Sequence, residues 1–230
     1  MDFSQHFIAI FVSLFVITDP FGNVGIFLSI TDGDDESFRR KQAFKGSIYS
    51  FLLLFVFFVG GTFIMAFFGI TLDAIRIGGG LIVARIGFGL LSPQAASDPA
   101  DPEHSESKQK NDISFCPLAL PLIAGPGALA VVIAASAKIE KFSWSPYIAI
   151  SLAILATSLF TWICLRFSGQ LLRVLGVAGM NAVTRVMGFL LICIAIQMII
   201  FGMEGLLYEW GFISESAREH IKSMTKHFAF

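Results

Sequence analysis

Polar residues along this 230-residue chain are bunched, and the intervals between the bunches are long and apolar. Phe7 to Ile17 is interrupted only by Ser13, and comparable stretches recur down the sequence. Six reach roughly the 20 residues that a helix needs to cross the hydrocarbon core of a bilayer. They run over 5–30, 46–68, 71–91, 114–137, 146–165 and 184–203. Charge gathers between Asp32 and Lys41, between Ser92 and Ile113, and from Glu204 onward. The second of these is rich in Ser, Pro, Ala and acids and reads as a flexible linker. Ser214 to Lys226 has the pattern of a short amphipathic helix. The pattern predicts an all-α membrane protein: three helices in 1–91, a hydrophilic linker in 92–113, three helices in 114–204 and a tail in 205–230.

Composition narrows the class. With 55% hydrophobic and 14% charged residues, and a mean hydropathy of +0.76, the chain lacks the polar surface of a water-soluble domain. The 25 Phe and 21 Gly suit helices packed tightly in lipid. A net charge of −1 without a basic patch argues against a nucleic-acid partner and leaves the bilayer as the expected one. Cys116, Cys164 and Cys193 are odd in number and fit neither a zinc site nor a redox pair, so they read as small packing residues. The first residues lack the basic region of a signal peptide, and the first apolar stretch is expected to stay as a membrane segment. His104, His220 and His227 fall in the linker or tail and His6 at the edge of a span, which argues against a histidine proton relay. No nucleophile elbow, zinc, phosphate-loop or dinucleotide motif is present, so neither an enzyme nor a bound metal is expected.

Lysine and arginine set the orientation. With the N-terminus outside, inner loops hold Arg39, Arg40, Lys41, Lys45, Lys108, Lys110, Arg166, Arg173 and Arg185. The outer side holds Arg76, Lys138, Lys141, Arg218, Lys222 and Lys226. Nine against six favours both termini outside.

The two sets of three spans echo each other. The first span contains Asp19-Pro20-Phe21-Gly22-Asn23, and the fourth contains Gly125-Pro126-Gly127 after an earlier Pro121. The third carries Arg76-Ile77-Gly78-Gly79 near its start, and the sixth Arg185-Val186-Met187-Gly188. Pro20 and Pro126 lie 106 positions apart, Arg76 and Arg185 109 apart. This spacing suggests a duplicated three-helix unit. An odd number of spans per unit turns the second copy upside down, the inverted repeat of many secondary transporters.

Proline inside a helix removes a backbone hydrogen bond, and hydrocarbon offers no substitute, so such breaks belong where they face protein or a wet cavity. Pro20 and Pro126 each suit the first turn of a new half-helix, which aims its free N–H groups and positive dipole end into the protein. Gly22, Gly125 and Gly127 leave room for close approach. Asp19 can cap the half-helix, bind a substrate ammonium, hold Na+ or carry a proton. Asn23 can serve a ligand or the freed backbone. Arg76 and Arg185 read first as snorkelling residues and second as gating or substrate groups. Arg85, on the side of its helix away from Arg76, can snorkel or pair with Asp19 or Glu204. Gly78-Gly79-Gly80 and Gly87 read as close helix packing, and Gln197 as a helix–helix hydrogen bond.

The segments DPFGNVGIFLSIT (19–31), IRIGGGLIVARIGF (75–88), PLALPLIAGPGALAVVI (117–133) and RVMGFLLICIAIQMI (185–199) resemble, in order, the MarC family of bacterial inner-membrane proteins. The resemblance implies six helices in two inverted triplets with helices 1 and 4 discontinuous, and the two breaks lining the site. It also implies transport of small neutral amino acids such as alanine and glycine, coupled to a cation gradient of Na+ or H+. Two departures stand out. The family pattern usually has an apolar residue at the position of Arg85 and often a basic one near Gly89, one turn away. The first motif often begins Asn-Pro, which weighs against Asp19 as an obligatory proton carrier. The expected function is therefore alternating-access transport of a small zwitterionic solute, with no cofactor. The alternatives are a membrane scaffold or stress-response protein that docks through 98–112, and small-molecule or drug efflux.

Overall fold

The structure, a computed structural model, describes residues 3–91, 112–139 and 144–212. All regular structure there is helical: α1 (Phe3–Thr18), α2 (Pro20–Ile30), α3 (Glu36–Phe68), α4 (Leu72–Leu91), α5 (Ser114–Ile123), α6 (Pro126–Ala137), α7 (Trp144–Arg166) and α8 (Ser168–Glu209). Five helices, counting α1 with α2, are long and apolar enough to cross a membrane, and the bent pair α5 with α6 makes a sixth. The expected linker up to Asn111, the tail helix at 214–226, and Lys108, Lys110, Lys141, Arg218, Lys222 and Lys226 lie outside the described residues.

Two boundaries differ from the sequence reading. Glu36 to Lys45, expected to include a polar loop, is the first part of α3, held by an Arg40–Glu36 ion pair one turn apart. Residues 168–183, expected as a connection, are helical as well. They belong to two helices joined at Gly176, whose φ of 66° and ψ of 172° only glycine adopts readily. Arg185 is therefore well inside a helix and does not open one.

The helices form a bundle with two apolar cores at different levels. One unites Leu14 and Ile17 of α1 with Leu54 and Phe58 of α3, Val83 of α4, Ala128 to Ala135 of α6, Ile150 and Ile154 of α7, and Leu191 and Ala195 of α8. The other unites Val24, Phe27 and Ile30 of α2 with Ala43 of α3, Leu118 and Ile123 of α5, Leu165 of α7 and Met180 of α8. The breaks at Asp19 and at Ala124-Gly125 fall between them. The most extensive contact is between α4 and α8, antiparallel and built on glycine. A Cβ on Gly87 would lie 2.8 Å from the Gly188 carbonyl oxygen, and one on Gly80 2.8 Å from that of Ala195. Backbone contact of this kind is how helices associate where lipid supplies no hydrophobic drive. Gly79 joins this packing against Ala130 and Met198, but Gly78 faces open space. Gln197 makes no side-chain hydrogen bond among the described residues, so the bond expected of it is not formed.

One end of the bundle carries the α3–α4 turn, where Gly69 has φ 65°, together with Arg76 and Lys138. Partial desolvation, and then the charge of Arg76, hold the ammonium of Lys138 below its usual range although the residue is exposed. The opposite end carries Thr31, whose carbonyl closes α2 by accepting from both Nε and Nη2 of Arg39 at 3.1 and 2.8 Å. It also carries the Lys45–Asp112 ion pair at 2.6 Å, which ties α3 to the start of α5.

Candidate functional site

At the first break, the chain leaves helical geometry at one residue. Asp19 has φ 37° and ψ 69°, a left-handed conformation that no other non-glycine residue shares among those described. Such a conformation costs on the order of 1 kcal/mol or more, and aspartate is among the residues that tolerate it. Asp19 caps α2: its Oδ1 accepts from the Gly22 amide at 3.2 Å, and Pro20, which has no N–H to satisfy, takes the first helical position. Gly22 is required by this cap, because a Cβ there would collide with the Asp19 carboxylate. Asn23 is buried, and its Nδ2 donates to the Thr18 carbonyl at 2.7 Å. It therefore satisfies the backbone that the break sets free. Asp19 is only 6% exposed, and its second oxygen, Oδ2, has no hydrogen-bond partner among the described residues.

The second break is made differently. Cys116 and Leu120 both precede prolines and are pushed to extended geometry, with φ near −130° and ψ near 122°. The chain bridges these kinks with wide turns, in which Leu118 N–H donates to Ile113 at 3.2 Å and Ala124 N–H to Ala119 at 2.8 Å. The Cys116–Pro117 and Leu120–Pro121 peptides are cis. α5 and α6 then meet at 64°. Pro126 takes the first position of α6, and no side chain caps that helix. Gly125 is confined by the Pro121 carbonyl oxygen, 2.7 Å from where a Cβ would stand, and Gly127 by Val83 at 2.7 Å.

The two breaks face one cavity of about 560 Å³. Asp19, Phe21, Gly22 and Asn23 line it from one side, and Gly125, Pro126 and Gly127 from the other. Pro20, although it makes the first break, is buried behind the wall. Phe21 is fixed by edge-to-face contact with Phe160 of α7, their centroids 6.0 Å apart. The cavity extends past Ile26, Leu122 and Leu90, toward the end that carries Thr31 and Asp112. On the other side of the breaks lies the closed core around Leu14, Val83 and Val131.

The three arginines separate. Arg85 and Arg185 both line the cavity, from α4 and α8. Arg76 lies outside it and pairs with Asp73 at 2.7 Å. Arg85 makes no ion pair with Asp19 or Glu204 among the described residues. Asn181 and Thr184 of α8 also line the cavity, and the sequence reading passed over both. Asn181 stands four residues before Arg185, on the same helical face. That spacing is legible in the sequence only once 168–183 is recognised as helix.

Among the described residues no cluster of His, Cys, Asp or Glu is suited to a metal ion. The three cysteines are free thiols: Cys164 is buried, Cys116 and Cys193 are exposed.

Comparison with known proteins bears on most of the chain. It is 36% identical over 201 residues to the inner membrane protein MarC of Salmonella typhimurium, covering 84% of this chain and 91% of that one. The protein of the same name from Citrobacter koseri matches at 36%, and that from Escherichia coli at 35%, over the same shares. No solved structure matches. The model of MarC family integral membrane proteins matches residues 4–207, and this multi-pass inner-membrane protein belongs to that family.

Proposed function

We propose that the protein is a secondary transporter that carries a small amino acid by alternating access, and that the cavity between the two breaks is its substrate site. The observation that carries this reading is the Asp19 carboxylate: it is part of the wall of a cavity that both broken segments line, and its buried Oδ2 has no hydrogen-bond partner among the described residues. A buried carboxylate oxygen without a partner is costly in a membrane bundle, and a solute ammonium or a coupling Na+ or H+ is the natural counterpart. The uncapped N-terminus of α6, across the cavity, suits the solute carboxylate. A solute of alanine or glycine size supplies both groups. Phe21, Gly22, Asn23, Gly125, Pro126 and Gly127 then shape the wall, and no bond-making chemistry is required of the protein.

The same reading treats the two halves as inverted copies with discontinuous first and fourth spans. α2 and α6 both begin with proline at the middle of the bundle and run to opposite ends. The cavity is taken to open to the cytoplasm, since Arg39, Arg40, Lys41, Lys45, Arg166 and Arg173 cluster at that end.

The test is uptake of labelled alanine or glycine into proteoliposomes under imposed Na+ and H+ gradients. Accumulation above empty vesicles that falls with Asp19→Ala is expected. No accumulation across a panel of small amino acids and both gradients would overturn the reading.

A further inference from the structure

Among the described residues, the charges on the cavity wall do not balance. Arg85 and Arg185 project from different helices onto one cavity. Neither has an ion-pair partner among the described residues, whereas Arg76, on the same helix as Arg85, is neutralised by Asp73. Among the described residues, the one acid on the wall is Asp19. Counted ionised, it offsets one guanidinium and leaves an excess of one positive charge; protonated, it leaves two. The uncapped start of α6 adds to the same sign.

We propose that the cavity takes a solute with two anionic groups and one ammonium, an acidic amino acid, in preference to a neutral one. This rests on the amino-acid reading above and names the substrate class of that same site. A neutral zwitterion brings no net charge, so one guanidinium would stay uncompensated beside Ile82, Ile86 and Met180. A second carboxylate removes that imbalance, and the guanidinium fork is the group best shaped to hold it through two parallel hydrogen bonds. The geometry divides the labour. Asp19 at the closed end of the cavity takes the ammonium, the start of α6 takes the α-carboxylate, and Arg85 with Arg185, toward the open end, takes the side-chain carboxylate. Asn181 and Thr184 stand beside Arg185 as neutral hydrogen-bonding groups. The volume of about 560 Å³ is in the range that encloses ligands well above alanine in size.

The experiment is a calorimetric titration of the purified full chain with L-aspartate, L-asparagine and L-alanine. Aspartate and asparagine are nearly the same size, so their ratio reads the charge. Aspartate is expected to bind about tenfold or more tightly than asparagine, the scale of one charge-assisted hydrogen bond. Arg85→Gln and Arg185→Gln are each expected to bring aspartate down to the asparagine value. Arg85→Lys, which keeps the charge, retains part of the preference and guards against a folding defect in the glutamine variant. Equal binding of all three amino acids would overturn this proposal and leave the amino-acid reading standing. Failure of all three to bind would overturn both. If only phosphatidylglycerol added to the micelle stabilises the protein, and Arg185→Gln removes that effect, the guanidinium pair reads a lipid headgroup and the proposal falls.

Discussion

The two breaks meet on one cavity and start their half-helices with the same residue, yet they are built by opposite means. At Asp19 the chain turns within one residue, and side chains repair the damage: a carboxylate caps the new helix, and an amide covers the stranded Thr18 carbonyl. At Ala124-Gly125 the backbone does the work through wide turns between prolines, and no side chain caps α6. The first side therefore presents a negative group and the second a bare helix N-terminus. A solute with one positive and one negative end meets its complement on each wall, which two identical breaks would not offer.

The largest effects should come from separating Asp19's two tasks. Asp19→Ala removes both the cap and the charge. It should abolish uptake and lower stability by about 1 kcal/mol, the usual cost of a lost N-cap. Asp19→Asn keeps a residue that caps well and tolerates the left-handed turn. Its melting temperature should stay near that of wild type while uptake falls about tenfold or more, the scale of a charged hydrogen bond. If Asp19→Asn transports normally, the carboxylate is a cap and nothing more.

The next pair probes how each break is held. Gly125→Ala drives a methyl against the Pro121 carbonyl and should cost about 1–3 kcal/mol, as overpacking does. Asn23→Ala should cost a similar amount, about 1–3 kcal/mol, by leaving the buried Thr18 carbonyl unpaired. Thermal unfolding in detergent measures both. Gly78→Ala is the control, since nothing lies within 4 Å of its added methyl. It should be neutral, or stabilising by up to about 1 kcal/mol through helix propensity.

The smallest effect concerns the tie at the open end. The Lys45 ammonium, with the Ser114 hydroxyl and amide, holds the Asp112 carboxyl down to about 2 from 3.8. A depressed carboxyl contributes stability that is fully present above its unfolded value. That contribution is therefore intact above about pH 4 and lost as the pH falls through about 2. The pair is largely solvent-exposed, so Lys45→Ala should shift the melting temperature by at most about 2–4 °C at neutral pH. The shift should shrink as the pH falls below about 4 and vanish only below about 2.

Much of the site was legible because its residues break rules that the rest of the chain obeys. Proline, glycine and aspartate are conspicuous inside apolar stretches, and the reading of Asp19 as an N-cap and of Gly79, Gly80 and Gly87 as packing follows from their chemistry alone. The arginines were not legible in the same way. Arg76 and Arg185 match in spacing, but Asp73 neutralises the first while the second lines the cavity. Hydropathy marks where a helix is in lipid and is silent where a helix runs on past it. For that reason the charged start of α3 and the mixed stretch 168–183 passed for connections, and Asn181 and Thr184 passed with them. The volume of the cavity depends on how six helices pack, which no local pattern records.

The central claim is that a solute occupies the space between the two breaks. The most direct measurement places a single cysteine at Asn181, on the cavity wall, in a chain whose Cys116, Cys164 and Cys193 are replaced by alanine. A membrane-impermeant thiol reagent is applied to inside-out vesicles with and without an amino-acid panel. The account predicts labelling that a transported amino acid slows several-fold, and that Asp19→Asn makes insensitive to it. Labelling at one rate whatever amino acid is present would contradict it.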